Sequence, residues 1–196
     1  MPLSERQKQI LIGLLLGDGH LELNGKNTRL KIDHGATQKD LFLWKHREFQ
    51  TLATRNPVQV NALDSRNGKV YEHFRFATRT IPELNEYRQM FYVERNKIIP
   101  RHIDQILATP LTLAVWYMDD GHKRTDCRAL RLNTQSYRSE EQALLQDCLL
   151  KNFGVRVRIH KVTKGVQVLY VPASEAQKFC DLVKPHVITS MKYKLL

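Results

Sequence analysis

Two aspartates of this 196-residue chain stand where chemistry could be done. Asp18 closes an apolar run from Leu11 and precedes Gly19 and His20. Asp120 closes a second run from Leu113, just after Asp119, and precedes Gly121 and His122. Each run reads as a buried helix, so each acid falls at a helix C-terminus, where the backbone's partial negative charge opposes a carboxylate. Two such ends side by side place two carboxylates in one small volume, and their repulsion calls for a cation. Oxygen donors alone favour a hard divalent ion, Mg2+ above all, with Mn2+ or Ca2+ able to substitute for binding. A single Asp-Gly reads as a cap or turn; a duplicated pair at matching places reads as a metal site. Asp119 reads as a backbone ligand or a local cap, because Gly17 occupies its matching place.

Lys97 and Lys194 form a second duplicated feature, each followed by aliphatic residues. A lysine near a scissile phosphate can stabilise developing negative charge or orient water. The alternative for each is a solvated lysine. His20 and His122 repeat as well, but no Cys or second His sits at a ligand spacing beside either, so they read as strand-start residues. Trp116 and Tyr117 read as core or seam packing, and Trp44 as core.

The elements between these residues also repeat in order. Alternating segments such as 29–32 and 129–132 follow the acids. Amphipathic helices are expected at 38–51 and 139–152, alternation returns at 70–77 and 166–171, and helices at 82–91 and 174–183. The pattern is α-β-β-α-β-β-α, twice: an α+β fold with hairpins and antiparallel sheets rather than parallel units. Asn24-Gly25 and Asn67-Gly68 supply turn chemistry. The halves are expected at 1–98 and 99–196, packed as one unit through the two apolar helices. Gly13 and Gly17 lie i, i+4 and permit another backbone to approach; the second run offers only Ala114.

The net charge is +11. Lys and Arg outnumber Asp and Glu by 3 to 2 in residues 20–35, 5 to 2 in 55–79, 5 to 1 in 121–138 and 4 to 0 in 154–170. The excess therefore belongs to the expected strands, which points to a polyanion held on sheet faces. Arg29 and Lys31 alternate with Leu30 and Ile32, His73 and Arg75 with Phe74 and Phe76. Arg131, Asn133 and Gln135 alternate with Leu130, Leu132 and Thr134; Arg156, Arg158 and His160 with Val155, Val157 and Ile159. Lys26, Arg66, Lys69, Lys123, Arg124, Lys161, Lys164 and Gln167 complete the expected DNA-binding set. Lys and Arg can hold phosphates on such faces, while Arg on guanine and Asn or Gln on adenine can read base edges. The alternative for any one strand is an ordinary solvated face.

Other classes are excluded or disfavoured. Cys127, Cys148 and Cys180 stand far apart, against a disulfide framework or a thiolate zinc site; they read as reduced, mostly buried thiols of an intracellular protein. Whether the host is an organelle, a bacterium or a phage is open. The longest apolar run is far short of a membrane span and no small-residue cleavage site follows it.

The runs ending Gly17-Asp18-Gly19 and Asp119-Asp120-Gly121 resemble the paired motifs of the single-chain LAGLIDADG homing endonucleases, intron-encoded type. Thr109-Pro110 before the second run, Leu132-Asn133-Thr134-Gln135-Ser136 after it and the ending Met191-Lys192-Tyr193-Lys194-Leu195 carry the likeness, which covers roughly residues 5 to 195. Leu16 departs from the family pattern, where an acid often stands. The resemblance implies a pseudo-twofold saddle whose antiparallel sheets lie along the DNA major groove. It implies that Asp18 and Asp120 bind divalent metal, that the backbone carbonyls of Gly17 and Asp119 assist, and that Lys97 and Lys194 are active-site lysines. The expected activity is metal-dependent hydrolysis of both DNA strands at a long asymmetric target, cut across the minor groove by a monomer. The competing readings are an RNA maturase that binds intron RNA and a non-catalytic DNA-binding module.

Overall fold

The computed structural model describes residues 2–163 and 165–196; the expected DNA-binding residue Lys164 lies outside them. Helix α1 (Glu5–Leu16) starts at a reciprocal cap, with the Gln7 amide donating to Ser4 Oγ and the Ser4 amide to Gln7 Oε1, satisfying N–H groups that the first turn leaves unpaired. From Ile10 to Leu16 every residue is buried, so this helix is core on all sides. It ends at Gly17, one residue before Asp18, which is not the helical residue the sequence suggested. Strands β1 (His20–Asn24) and β2 (Asn27–Gly35) form a hairpin whose turn needs Gly25 at φ 67°.

Helix α2 (Lys39–Glu48), strands β3 (Val58–Asp64) and β4 (Lys69–Ala77), and helix α3 (Glu83–Phe91) follow. A small hairpin, β5 (Tyr92–Val93) with β6 (Asn96–Lys97), delivers Lys97, and the one-turn helix α4 (Ile103–Ile106) leads into the second set. Helix α5 (Pro110–Asp120) opens with Thr109 capping the Thr112 amide at 3.2 Å and with proline in its first turn. Strands β7 (Gly121–Lys123) and β8 (Leu130–Leu132), helix α6 (Ser139–Phe153), strands β9 (Arg158–Thr163) and β10 (Val166–Val171), and helix α7 (Ala173–Val183) complete the order. A final 3-10 turn (Thr189–Lys194) carries Lys194.

Both sheets are antiparallel and share one topology: β1-β2-β4-β3 and β7-β8-β10-β9. The second is shorter, because residues 124–129 and 133–138 leave the ladder where longer strands were expected. Helices α1 and α5 pack against each other at the centre. Gly13 makes this possible: a Cβ there would lie 2.6 Å from the Thr112 carbonyl oxygen and 2.6 Å from Val115 Cβ. Thr112 Oγ1 donates to the Gln9 carbonyl at 3.1 Å, so the seam is polar at its start and apolar beyond. Trp116 and Tyr117 are fully buried as expected.

Two expectations about burial need correction. Trp44 is only partly buried, because α2 turns Leu41, Phe42, Lys45 and His46 inward instead. Cys127 is exposed, in the loop where the second sheet leaves its ladder; Cys148 and Cys180 are buried.

Candidate metal centre and nucleic-acid interface

The seam brings Asp18, Asp119 and Asp120 to one end of the paired helices, with Lys97 and Lys194 behind them. Lys97 Nζ donates to the carbonyls of Gly17 at 2.7 Å and Gly19 at 2.8 Å. Lys194 Nζ donates to the carbonyls of Met118 at 2.6 Å and Asp119 at 3.3 Å. The duplicated lysines thus grip the duplicated helix ends, through the same two carbonyls, Gly17 and Asp119, that were expected to assist a metal. Burial lowers the pKa of both lysines, opposed for Lys97 chiefly by Asp120 and for Lys194 chiefly by Asp119. Burial, with the charges of Asp18 and Asp119, pushes the Asp120 carboxyl up to about 7.

Asp119 is more than a local cap. Its carboxylate is buried, accepts from Lys45 Nζ at 2.5 Å through Oδ1, and accepts the Asp18 backbone N–H at 3.1 Å through Oδ2. Lys45 is itself fully buried and lies 2.7 Å from His34 Nε2. An ammonium only donates, so His34 Nε2 accepts and Nδ1 carries the ring proton, donated to Gln38 Oε1 at 2.7 Å. Sequence reasoning missed Lys45, His34 and Gln38. A lysine within an amphipathic helix gave no sign of a partner 74 residues away.

The donor set suits a hard cation. Asp18 is half-exposed, Asp120 is held near like charges, and both offer only oxygen. Asp18, His34 and Asp119 also cluster, with one ligating atom of each within 4.8 Å of the others. Both ring nitrogens of His34 are already hydrogen-bonded, which argues for the carboxylates rather than the imidazole.

The open face of the first sheet carries His20, Arg29, Lys31, His73 and Arg75 as expected. Here the cations are largely partnered. Glu22 binds Arg29 and Lys31, and Asp33 binds His73 Nδ1 at 2.7 Å and Arg75 Nε at 2.5 Å. Asp64 binds Arg66 at the hairpin tip, where Lys69 begins β4, and Lys26 stands in the β1–β2 turn facing Asn85 and Arg88 of α3. Between these groups runs a groove of about 610 Å³ that reaches from Asp18 and His20 past Arg55, Val58 and Val60 to Arg75.

The second sheet aligns His122, Arg131, Tyr170 and Arg158 in one row, with His160 stacked on the Tyr170 ring at 4.9 Å. Gln135 is exposed and Asn133 half-buried, while Arg156 precedes β9 and is exposed in a hollow it shares with Asp147 of α6 and Glu175 of α7. Among the described residues none of the Arg131, Arg158 and His160 side chains is in an ion pair, whereas the Arg156 backbone N–H donates to Glu175 Oε2 at 3.3 Å. Arg124 does, in Asp126. Three expectations fail by register. Lys123 pairs with Leu130 and Lys161 with Gln167, which puts all three on the helix side of the sheet. Gln167 accepts there from Ser139 Oγ at 2.7 Å. Alternation from Ile159 and Leu169 already gives this side for Lys161 and Gln167, and the irregularity between Val166 and Gln167 lies beyond that pair.

Fold and site together define a duplicated nuclease-type architecture, and the comparisons agree. The chain belongs to the LAGLIDADG DNA endonuclease family, whose model matches residues 8–179. The homing endonuclease I-WcaI, solved bound to its DNA recognition sequence, superposes with a TM-score of 0.91 over 100% of this chain and 88% of that one, at 28% identity. The cytochrome b mRNA maturase bI2 of Debaryomyces hansenii is 31% identical over 99% of this chain and 75% of its own length. A RecA protein of Mycolicibacterium fallax is 31% identical over 99% of this chain, which spans 47% of that relative. No helix of the described residues is long and apolar enough to cross a membrane.

Proposed function

We propose that this chain is a site-specific double-strand DNA endonuclease that works with Mg2+. The observation that carries the reading is the duplicated helix end: two carboxylates, Asp18 and Asp120, with a buried lysine gripping the carbonyls behind each. Asp18 and Asp120 would hold the divalent cation, which supplies Lewis-acid polarisation of the phosphate and acidifies a water when bound. Lys97 and Lys194 fix the backbone of the two ends and set positive charge where phosphate charge builds up. The two sheet faces hold the duplex on either side. Arg131, Arg156, Arg158, His160, Asn133 and Gln135 serve one half-site, and Arg29, Lys31, His73, Arg75, Arg66 and Lys69 the other. Because the faces differ, the target is asymmetric. On this reading the division falls between residues 98 and 99, and one chain supplies both halves.

Selection of cleaved sites from a randomised DNA library in Mg2+ tests the reading. A long asymmetric consensus is expected, and recovery of no cleaved site would overturn it. The likeness to cytochrome b mRNA maturase bI2 favours a second reading, intron RNA binding that assists splicing. Tight binding of intron RNA without nicking of plasmid DNA in Mg2+ would put that reading first.

A further inference from the structure

The two helix ends are built alike but not held alike. Asp120 is the last residue of α5, and its carbonyl accepts the Asn133 N–H of its own half at 2.9 Å. Asp18 lies past the end of α1, and its N–H is taken by Asp119, a side chain of the other half. The matching place, Gly17, has no side chain to return the contact. Its glycine is required: a Cβ there would lie 2.6 Å from Asp119 Cβ and 2.7 Å from Asp119 Oδ2. Asp119 is in turn fixed by Lys45, whose side chain is fully buried and whose second contact is His34. By strand register Lys31 and Arg131 are equivalent, facing His20 and His122, so the equivalent of His34 is Thr134. Thr134 accepts the Leu169 N–H and belongs to no such chain of contacts. The polar connection from Asp119 through Lys45 and His34 to Gln38 therefore serves one centre and not the other.

We propose that Asp119, held by Lys45, positions Asp18 from across the seam, so that the two centres are unequal and the two DNA strands are cut at separately tunable rates. The inference rests on the nuclease reading above. Asp119 aims the Asp18 backbone, and hence its carboxylate. Lys45 keeps the Asp119 charge out of the cleft by pairing it inside the protein. A fully buried pair of this kind is costly to break from one side only, because the charge left behind has no partner.

The test measures the two strand-cutting rates separately, on an end-labelled duplex in Mg2+, for wild type, Asp119→Ala, Asp119→Asn and the double variant Lys45→Met with Asp119→Asn. The double variant removes both charges and so guards against simple misfolding, which thermal melting checks. Amide hydrogen exchange of the segment around Asp18, in chelator, reads the contact without metal. In Asp119→Ala, exchange at this segment should rise and the ratio of the two strand rates should shift by about 10-fold to 100-fold, the cost of an ångström-scale misplacement. Asp119→Asn keeps an acceptor oxygen and should restore much of both readouts. Equal slowing of both strands, or unchanged exchange in Asp119→Ala, would overturn the proposal while leaving the nuclease reading intact. A wild type that cuts neither strand would instead sink the nuclease reading, with the exchange result still deciding the contact.

Discussion

The two sheet faces carry similar basic residues but treat them differently. On the first, Glu22 and Asp33 already occupy Arg29, Lys31, His73 and Arg75. On the second, the side chains of Arg131, Arg158 and His160 are in no ion pair among the described residues. A cation paired within the protein must give up that partner before it can take a phosphate, whereas an unpaired one costs less to engage. Charge counted along a sequence is therefore not charge available to a ligand. The second half is the better electrostatic anchor. On the proposed reading the first, with Val58, Val60 and acids among its cations, would serve discrimination between bases more than attraction, since carboxylates accept from cytosine and small apolar groups meet thymine methyls.

The largest expected effect addresses whether the halves share one centre. Asp18→Asn or Asp120→Asn should abolish cutting of at least one strand, a loss of about a thousandfold or more, corresponding to several kcal/mol of metal-derived stabilisation. DNA binding in a gel-shift assay should survive. Full double-strand cutting by both variants would remove the centre altogether. Next in size is Lys45→Ala, which leaves Asp119 buried without its counter-charge and should cost about 3–5 kcal/mol in chemical denaturation. A loss below about 1 kcal/mol would mean that the pair is not dry.

Arg158→Ala should weaken DNA binding by about 1–3 kcal/mol, the range of an arginine contacting a base. Arg75→Ala, which leaves Asp33 with His73, should cost less than that. Equal losses would erase the contrast between the faces. A pH series sharpens the seam itself. Because the folded-state pKa of Asp120 is raised to about 7, the folded protein binds a proton that the unfolded chain releases until pH falls near 4. The Asp120 contribution to metal-free stability should therefore grow as pH drops from about 8 to 5. Because burial lowers the pKa of His20, His34, His46, His122 and His186 and gives them the opposite sign, it is read as the difference between wild type and Asp120→Asn. A difference that slopes the other way would place the Asp120 carboxyl in contact with a cation rather than an anion. The smallest effect is expected from Glu22→Gln. Freeing Arg29 and Lys31 should steepen the salt dependence of binding by about one phosphate contact.

Much of this was legible because duplication is visible in one dimension. Asp18 with Asp120, Lys97 with Lys194 and the matching hairpins all follow from residues that repeat in order. The turn at Gly25 is local and so could be read locally. What escaped depends on partners distant in the chain or on register. Lys45 looks like the polar side of α2 until Asp119 is known to lie beside it. The neutralising role of Glu22 and Asp33 needs the pairing of β1, β2 and β4. Lys123, Lys161 and Gln167 lie on the other face by the same alternation that puts His122, His160 and Tyr170 on the open one, so charge alone had counted them in.

The fit of Gly17 against Asp119 also bears on how such a chain can be rebuilt. Two copies of the first half would face glycine to glycine and leave both Asp18 amides uncapped. Two copies of the second would crowd a pair of Asp119 side chains into the space that glycine vacates. A homodimer of either part would therefore lose this fit, and hybrids made by exchanging halves between relatives keep it only when a small residue and an acid are carried together.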